Sequence, residues 1–574
     1  MKNMQPYPSE DCITNSLAQK VTEHWLLGIL ESNPAILDVF RQRDVLPYRD
    51  LLPWSGEFAG KYLTAAAAVY RLTGYARLKE YSLSFAREFV ACMSPEGYLG
   101  CFQKMCQLTG AYSQNPHVVG ATWDAWGHYH AMIGLCDWYD LSGESWLLES
   151  VETIAGFFLK RFYGNGKKLS DMLSPTVNLS VYHSFARLYQ ITRKQEYLSF
   201  SLAVEEDMEK TAGCPRYLHT ALQGVEFFRN GASHWEGLHT IMGFAEMYRI
   251  TRREDYLNAL VQVYDSIHKT DVHNTGAFST AEGAVGTPYI NGIIETCCVV
   301  AYQALAIEAL DITGRCDIAD QLELAHYNAI LGCFSPSGRW STYNTPMEGV
   351  RKANYDDIHF QCRPGSPELN CCSVNAPRAL GDFARWAMME GEDGVYVNTY
   401  EPWRGSSSQG MKVTIEGRYP APGEITVTAV SEQQAHLYLR IPSWSSQSEV
   451  FVNGQPVASV RSGEYLDLYR HWKGERIQLH LDFSPKTVAG GDEYADKYSI
   501  YCGPLLLGCD LADNPLFDWD KLPFISRLML SKSPIEREQN GLISLTLPNG
   551  MKLRSFAALG FSGSQYKTWF SLSS

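Results

Sequence analysis

The chain has 574 residues, of which 45% are hydrophobic and 20% charged, a composition typical of a globular protein with large buried cores. Glycine (46) and proline (26) are near their usual frequencies, which excludes a collagen-like or low-complexity chain. With 49 basic and 63 acidic side chains the net charge is −14. This balance argues against nucleic acid and anionic membranes as partners.

The N-terminus and the cysteines bear on the compartment. Residues 1–8 lead into no apolar run of the kind that a secretory signal needs, and no stretch of 18 apolar residues predicts a membrane-spanning helix. Fifteen cysteines, an odd number, cannot all pair within one chain. We therefore expect a cytoplasmic protein whose cysteines are thiols or metal ligands. The sequence leaves a homodimer open.

The first two-thirds of the sequence is typical of a helical repeat, with apolar residues at spacings of three and four. The clearest segments are Phe58–Leu72, Leu78–Ala91, Tyr129–Tyr139, Ser180–Ile191 and Leu238–Ile250. Similar turns recur at Thr73–Gly74, Ser142–Gly143, Thr192–Arg193, Thr251–Arg252 and Thr313–Gly314. Each interval between turns can hold two helices, which indicates stacked helical hairpins. Long, irregular loops favour a closed (α/α)6 barrel over an open solenoid, and we assign the barrel to residues 1–390.

The remainder of the chain is typical of β-structure. Alternating apolar residues predict strands at Gly394–Tyr400, Glu424–Thr428, His436–Ile441 and Arg476–Leu481. The sequence Asn453-Gly454 indicates a hairpin turn. Turn residues recur about every ten positions, which favours a β-sandwich. We expect a sandwich at 391–497 and a small C-terminal β unit at 498–574, making the protein mainly α and multidomain.

Cysteine and glutamate cluster where the helical pattern breaks. Glu295 and Cys297 lie in one such place, and Cys371 and Cys372 lie in another. Thiolates with one carboxylate suit Zn²⁺. Residues two apart do not share a helix face, so both stretches would have to be irregular. We expect the helix after the cysteine pair to begin at Asn375–Pro377.

The alternative for any of these cysteines is a buried apolar thiol, which is common in protein cores. We expect that role for most of the others, including Cys136, Cys298 and Cys333. Spacing alone does not decide between packing and metal binding for the four residues of the cluster.

Several segments resemble glycoside hydrolase family 127, the β-L-arabinofuranosidase family, and the likeness covers nearly the whole chain in the same order. They are Trp54–Leu63, Ile294–Cys297, Asn370–Arg378, Arg440–Trp444, Val452–Gly454 and Tyr501–Leu505. The Glu-Thr-Cys and Cys-Cys-x-x-Asn motifs are specific together. The resemblance implies an (α/α)6 barrel followed by β-sandwiches.

The resemblance also implies a Cys3Glu zinc site. Glu295, Cys297, Cys371 and Cys372 match the family's ligands, and Cys371 matches its nucleophile. The family's general acid/base is a glutamate in a glycine-rich stretch shortly upstream, a position that Glu282 takes here with altered flanking residues.

Hydroxyl recognition would fall to histidine and aromatic side chains of the barrel. His128 and His130 are both candidates, since the family keeps a substrate histidine nearby. His183, His239 and Trp54 are further candidates. For each of them the alternative is a structural role.

The leading hypothesis is a zinc-dependent retaining glycosidase that releases β-L-arabinofuranose or a related sugar from short glycans. Cys371 would attack the anomeric carbon and Glu282 would transfer the proton. One alternative is another (α/α)6-barrel sugar enzyme, such as an epimerase or an unsaturated-glycoside hydrolase, which would need no such zinc. Another is a non-catalytic carbohydrate-binding protein with a structural zinc.

Overall fold

The computed structural model describes residues 2–8, 12–48, 51–110, 121–278, 282–353 and 369–573. The helices of these residues are α1 (Ile13–His24), α2 (Ile29–Ser32), α3 (Ala35–Arg41), α4 (Phe58–Thr73), α5 (Ala76–Val90), α6 (Asp124–Ser142), α7 (Ser145–Arg161), α8 (Pro175–Asn178), α9 (Val181–Thr192), α10 (Gln195–Lys210), α11 (Tyr217–Leu222), α12 (Glu236–Thr251), α13 (Glu254–Thr270), α14 (Thr296–Thr313), α15 (Cys316–Ala325), α16 (Cys371–Gly381), α17 (Phe383–Trp386) and α18 (Arg527–Lys532).

Six of these helices form a closed inner ring. Helices α4, α6, α9, α12, α14 and α16 each pack on the next, and α16 packs back on α4. Helices α5, α7, α10, α13 and α15 each follow an inner helix and cover it from outside. Helix α1 completes the outer ring, where it packs against α4 and α16. The predicted (α/α)6 barrel is confirmed, and the open solenoid is not what forms.

The five predicted turns join inner helices to their outer partners. In each turn the Ser or Thr hydroxyl donates to the carbonyl four residues earlier and accepts from the amide two residues later. The following Gly or Arg takes the left-handed conformation and ends the helix. The repeat is visible in the sequence because the same local bonds close every hairpin.

Helix α14 is long and apolar enough to span a membrane by length and composition alone. However, 83% of it is buried inside the protein. Its apolar surface is covered by α12, α15 and α16 of the barrel, which accounts for its composition.

The strands are β1 (Lys2–Asn3), β2 (Gln5–Pro8), β3 (Met388–Glu390), β4 (Gly394–Val397), β5 (Trp403–Ser406), β6 (Lys412–Glu416), β7 (Ile425–Ile441), β8 (Glu449–Val452), β9 (Gln455–Pro456), β10 (Glu464–His480), β11 (Lys486–Ala489), β12 (Tyr498–Cys502), β13 (Leu505–Asp510), β14 (Ile525–Ser526), β15 (Ile535–Arg537), β16 (Ile543–Thr546), β17 (Lys552–Ser555), β18 (Tyr566–Lys567) and β19 (Leu572–Ser573). The first sheet has the order β1-β3-β4-β7-β10-β8-β9, with β6, β5 and β2 branching from β7. Only β4 and β7 pair in parallel in this sheet.

Two details of this first sheet differ from expectation. The strands expected at Glu424–Thr428 and His436–Ile441 are parts of one long strand, β7, because its partner β10 is equally long and bulges where β7 does. Strands β1 and β2 also belong to this sheet, so residues 2–8 do not belong to the barrel. The hairpin at Asn453-Gly454 forms as predicted, with positive φ at both residues.

The second sheet has the order β11-β12-β13-β17-β16-β15, and β18 pairs with β13. Strands β14 and β19 form a separate parallel pair. Because β11 pairs with β12, the division that we expected at 497/498 cuts this sheet, and the second β unit starts with β11.

Glycines let the inner helices approach closely. A Cβ added to Gly60 of α4 would lie 2.3 Å from the backbone of His130 in α6. The contact between α4 and α6 therefore depends on the absence of a side chain at this position. Gly156 in the outer helix α7 offers a contrast, because nothing lies within 4 Å of its added Cβ.

We predict that Gly60→Ala lowers the melting temperature by several degrees, because overpacking at a backbone contact costs about 1–3 kcal/mol. The matched control Gly156→Ala should leave it unchanged or raise it slightly, since alanine is the better helix former. Differential scanning calorimetry measures both. Equal melting temperatures for the two variants would contradict the close α4–α6 approach.

Candidate active site

The paired cysteines begin an inner helix. Cys371 and Cys372 are the first two residues of α16, and Asn370 caps it. The Asn370 side chain accepts from the Ser373 amide at 2.9 Å, and the Ser373 hydroxyl accepts from the Asn370 amide at 3.0 Å. This reciprocal cap fixes the helix start, so both thiols lie at the N-terminal end of the barrel core.

The expected helix start at Asn375–Pro377 is wrong, since Pro377 lies inside α16. Proline lacks the N–H that would bond to the carbonyl four residues earlier, which belongs to Ser373. The indole N–H of Trp25 donates to that carbonyl instead, at 3.1 Å. A partner from a distant helix thus makes the proline tolerable. Residues 363–368, which precede this start, lie outside the described residues.

The second pair also lies at a helix start. Glu295 is the N-cap residue of α14, with extended backbone, and Cys297 is in its first turn. The amide of Thr296 donates to the carbonyl of Tyr343 at 3.0 Å, which holds this start against a neighbouring strand-like segment. The break from extended to helical backbone allows Glu295 and Cys297 to face the same point.

The four side chains converge in the buried interior. Their potential ligand atoms all lie within 4.8 Å of one another. The Sγ atoms of Cys371 and Cys372 are 3.9 Å apart, and they lie 3.6 and 3.4 Å from Oε1 of Glu295. Sulfur ligands around a tetrahedral Zn²⁺ lie about 3.8 Å apart, since each Zn–S bond is about 2.3 Å. The donor set therefore has the chemistry and the spacing that a tetrahedral metal site requires.

Burial forces these acidic groups to interact strongly. Burial raises the pKa of Glu295 well above its usual range, and Cys297 reinforces the effect. Burial also opposes ionisation of Cys297, but hydrogen bonds from the thiols of Cys371 and Cys372 outweigh it and hold the pKa of Cys297 well below its usual range. The protein groups by themselves thus favour one thiolate, and the remaining acidic groups need a cation to ionise.

A buried ion pair lies beside this cluster. The ammonium of Lys61 donates to Oε1 of Glu57 at 2.7 Å, and each side chain is only 1% exposed. The ammonium lies 4.7 Å from the ring centre of Trp235, and the indole N–H of Trp126 donates to the other oxygen of Glu57. Burial acts to lower the pKa of Lys61, but Glu57 and Cys297 raise it above its ordinary value. A positive charge is therefore fixed next to the thiols.

Glu282 has an unusual backbone conformation. Its φ is +69°, a region that non-glycine residues rarely adopt. The Trp235 amide donates to its carbonyl at 3.1 Å, and the Tyr343 hydroxyl donates to its Oε1 at 3.0 Å. Glu282 also contributes to raising the pKa of Glu295, which puts its charge near the ligand cluster. Residues 279–281, just before it, lie outside the described residues.

A second carboxyl lies close to Glu282. Glu236, in the first turn of α12, is buried, and its Oε2 has no hydrogen-bond partner among the described residues. Burial, reinforced by Glu282, raises the pKa of Glu236 to about 8. Glu236 is therefore mainly protonated at neutral pH and can donate a hydrogen bond.

The structure separates His128 from the other histidines. Its Nε2 accepts from the Leu99 amide at 3.0 Å, and its Nδ1 lies 2.8 Å from the Asp124 carbonyl. Both ring nitrogens are therefore used by the backbone, on the side of α6 away from the barrel axis. These hydrogen bonds give His128 a structural role, so it is not part of the proposed substrate site.

His130 and His239 face the axis of the barrel, with ring centres 5.4 Å apart. Both are buried, and the Nε2 of each has no hydrogen-bond partner among the described residues. The Nδ1 atom of His183 lies 3.0 Å from the Tyr129 hydroxyl. Trp54 is half-buried, 5.2 Å from the ring of Trp123.

The sequence matches one family across most of its length. Residues 31–384 match the catalytic domain described as "Beta-L-arabinofuranosidase, GH127 catalytic domain", and residues 394–483 match the corresponding middle domain. The chain belongs to glycoside hydrolase family 127. It is therefore a glycoside hydrolase of the β-L-arabinofuranosidase family, and its substrate is a glycan.

Solved structures agree with this fold. A GH127 β-arabinofuranosidase superposes with a TM-score of 0.78 at 17% identity, over 100% of this chain and 98% of its own. A GH127 β-L-arabinofuranosidase from Geobacillus stearothermophilus T6 superposes with a TM-score of 0.77 at 15% identity, over 100% of both chains. Among curated proteins the sequence has no significant match.

Three residues of this family 127 site were not identified from the sequence. Lys61 lies in a segment that resembles the family, but its ion pair with Glu57 is visible only in the folded barrel. Tyr343 and Glu236 come from separate parts of the chain, in segments with no motif of their own. Their spacing to Glu282 is set by tertiary packing, so no local pattern could have indicated them.

We predict that Lys61→Met destabilises the enzyme by about 3–5 kcal/mol, because it leaves the Glu57 carboxylate buried without its cation. Lys210→Met is a matched control: Lys210 also bonds a glutamate four residues earlier at 2.7 Å, but both side chains are mostly exposed. It should leave the melting temperature unchanged. If both variants melt at the wild-type temperature, the buried pair does not contribute as described.

Proposed function

We propose that this protein is a zinc-dependent retaining glycosidase that releases β-L-arabinofuranose or a related sugar from the end of short glycans. The observation that carries the proposal is the buried set of three thiols and one carboxyl with tetrahedral spacing, beside a glutamate held in a strained conformation. The names of the structural relatives support the choice of sugar. The described cysteines are all free thiols, which supports the expected cytoplasmic location.

The residues present fit a zinc ion. Glu295, Cys297, Cys371 and Cys372 would hold it, and the distances among Glu295, Cys371 and Cys372, 3.4 to 3.9 Å, are close to the edges of a tetrahedron around zinc. Asn375 supports this set, since its side-chain amide donates to Sγ of Cys297 at 3.5 Å. Bound zinc would supply a thiolate at neutral pH, because a thiol bound to zinc is deprotonated.

Cys371 is suited to be the nucleophile. It is 5% exposed, whereas Cys297 and Cys372 are fully enclosed, so it is the most accessible residue of the three. In the first step Cys371 Sγ forms a bond to the anomeric carbon as the glycosidic C–O bond breaks, and Glu282 gives its proton to the leaving oxygen. In the second step Glu282 takes a proton from water, whose oxygen attacks the anomeric carbon and releases Cys371.

The neighbouring groups support these roles. The Tyr343 hydroxyl holds one oxygen of Glu282, which leaves the other free to exchange a proton. His130, His239 and the protonated Glu236 offer polar atoms that have no hydrogen-bond partner among the described residues. Indole rings of Trp126 and Trp235 pack beside them. Aromatic rings with a few convergent polar groups are typical of a site for a small molecule such as a sugar unit.

We predict that Cys371→Ser lowers kcat/KM on an aryl β-L-arabinofuranoside by more than about 10³-fold, because it removes the nucleophile. Glu282→Gln should lose about 10²–10⁴-fold on an alkyl glycoside and less on an aryl glycoside with a good leaving group, which needs little protonation. Initial rates on a panel of glycosides measure both.

Cys136→Ser is the matched control for Cys371, since Cys136 is also a buried thiol on an inner helix but lies outside the ligand set. It should keep nearly full activity. Turnover of Cys371→Ser near the wild-type rate would refute the nucleophile assignment. Metal binding with no turnover on any glycoside would favour a binding protein with a structural zinc.

We predict one zinc per chain in the purified protein, measured by inductively coupled plasma mass spectrometry. Cys372→Ser should weaken zinc binding by more than about 100-fold in competition with a chromophoric chelator, because a primary ligand is lost. Affinity should fall as the pH is lowered, since the ligands must be deprotonated. Cys509→Ser, which changes a buried thiol of β13, should bind like the wild type, and equal affinity in Cys372→Ser would contradict the ligand set.

A further inference from the structure

A tyrosine connects two histidines across the barrel axis. The hydroxyl of Tyr129 lies 2.9 Å from Nδ1 of His239 and 3.0 Å from Nδ1 of His183. Tyr129 and His239 are almost completely buried. His239 lies on the side of the cysteines, while His183 lines a second cavity at the opposite end of the ring. The hydroxyl therefore links the site to the other end of the barrel.

Both imidazoles are neutral. Burial lowers the pKa of His239 well below its usual range, with Arg378 and Lys61 adding to the effect, and burial lowers the pKa of His183 to about 3. A neutral imidazole carries one proton, on either Nδ1 or Nε2. A hydroxyl has a single proton to donate, so Tyr129 donates to one Nδ1 and accepts from the other. The two histidines must therefore be in opposite tautomers.

The second cavity brings charged groups of both signs to His183. It encloses about 430 Å³ and is formed by residues near the C-terminal ends of the inner helices. The charges that act on His183 from this side are the guanidinium groups of Arg378, Arg187 and Arg249 and the carboxylate of Glu308.

These groups can satisfy either tautomer of His183. Glu308 forms ion pairs with Arg249 at 2.6 Å and with Arg385 at 2.8 Å, and the carboxyl groups of Asp137 and Glu246 line the same cavity. Guanidinium groups donate hydrogen bonds and carboxylates accept them, so Nε2 of His183 can find either kind of partner here. Whichever tautomer His183 takes, the single hydroxyl proton of Tyr129 gives His239 the opposite one.

We propose that Tyr129 is a positioning residue that couples the two histidines, so that His239 faces the sugar in one tautomer, opposite to that of His183. This inference rests on the proposed function for the identity of the ligand. His239 Nε2 is buried without a hydrogen-bond partner among the described residues, and its ring packs edge-on against Trp126 at 5.1 Å, which restricts its rotation. A sugar hydroxyl, which can donate or accept, supplies the missing partner.

The tautomer can be read directly on the resting holoenzyme by two-bond ¹H–¹⁵N correlation spectra of protein labelled at histidine. His239→Gln identifies the His239 signals. We expect the wild type to show His183 and His239 in opposite tautomers, and Tyr129→Phe to show a mixture at His239. We expect kcat/KM of Tyr129→Phe to fall about 10-fold, as for one lost hydrogen bond of about 1 kcal/mol.

Tyr182→Phe is the matched control, because Tyr182 is also completely buried and loses one hydrogen bond, to Glu205 at 2.9 Å, away from the histidines. It should keep both the His239 tautomer and the activity. His183→Leu identifies the His183 signals and removes one partner of Tyr129, so His239 should become a mixture of tautomers. This variant tests the coupling if Tyr129→Phe does not fold.

The same tautomer at both histidines in the wild type would overturn the proposal, as would an unchanged tautomer of His239 in both Tyr129→Phe and His183→Leu. These readouts use no substrate. If the protein instead fails to hydrolyse glycosides while the His239 tautomer changes as expected, the proposed function fails and the positioning role of Tyr129 stands.

Discussion

The structure depends on one electrostatic constraint: three thiols and a carboxyl share a buried volume in which they cannot all ionise unaided. Each of them disfavours charge on the others, because burial removes the water that would screen it. A divalent cation that bound all four at once would resolve this conflict. It would also join the start of α14 to the start of α16, two segments that are distant in sequence.

The barrel supplies the rest of that environment by geometry. Inner helices present their N-terminal ends to the same mouth, so residues at helix starts meet there: Glu57, Glu236, Glu295 and Cys371. The partial positive charge of helix N-termini favours thiolate and carboxylate in these positions. The fixed ammonium of Lys61 adds a full charge beside them. At the other mouth the helix C-termini carry paired arginines and carboxylates, and Tyr129 lies between the two ends.

Much of the fold could be predicted because its signals are local. The Ser/Thr and Gly residues that close the helical hairpins make their bonds within the turn itself. The Asn453-Gly454 pair likewise determines its hairpin turn without distant partners. Features that depend on distant partners were missed. The start of α16 depends on Trp25, which compensates for Pro377, and the first strands pair with β3 and β5 far along the chain.

The candidate site shows the same difference between local signals and contacts with distant residues. The four possible ligands are adjacent to recognisable motifs, so the resemblance to a family could identify them. The choice between His128 and His130 could not be made, because both fit the motif and only the hydrogen bonds to Leu99 and Asp124 distinguish them. Lys61, Glu236 and Tyr343 contribute through tertiary contacts that leave no pattern in the sequence.

The most direct test of the central claim is to look for the covalent glycosyl-enzyme. Glu282→Gln, incubated with an activated aryl β-L-arabinofuranoside, should form the adduct faster than water releases it. Peptide mass spectrometry should then find one pentosyl group on Cys371 and none on the other cysteines. A burst of aryl alcohol without any adduct, or an adduct on a carboxylate, would contradict the thiolate mechanism.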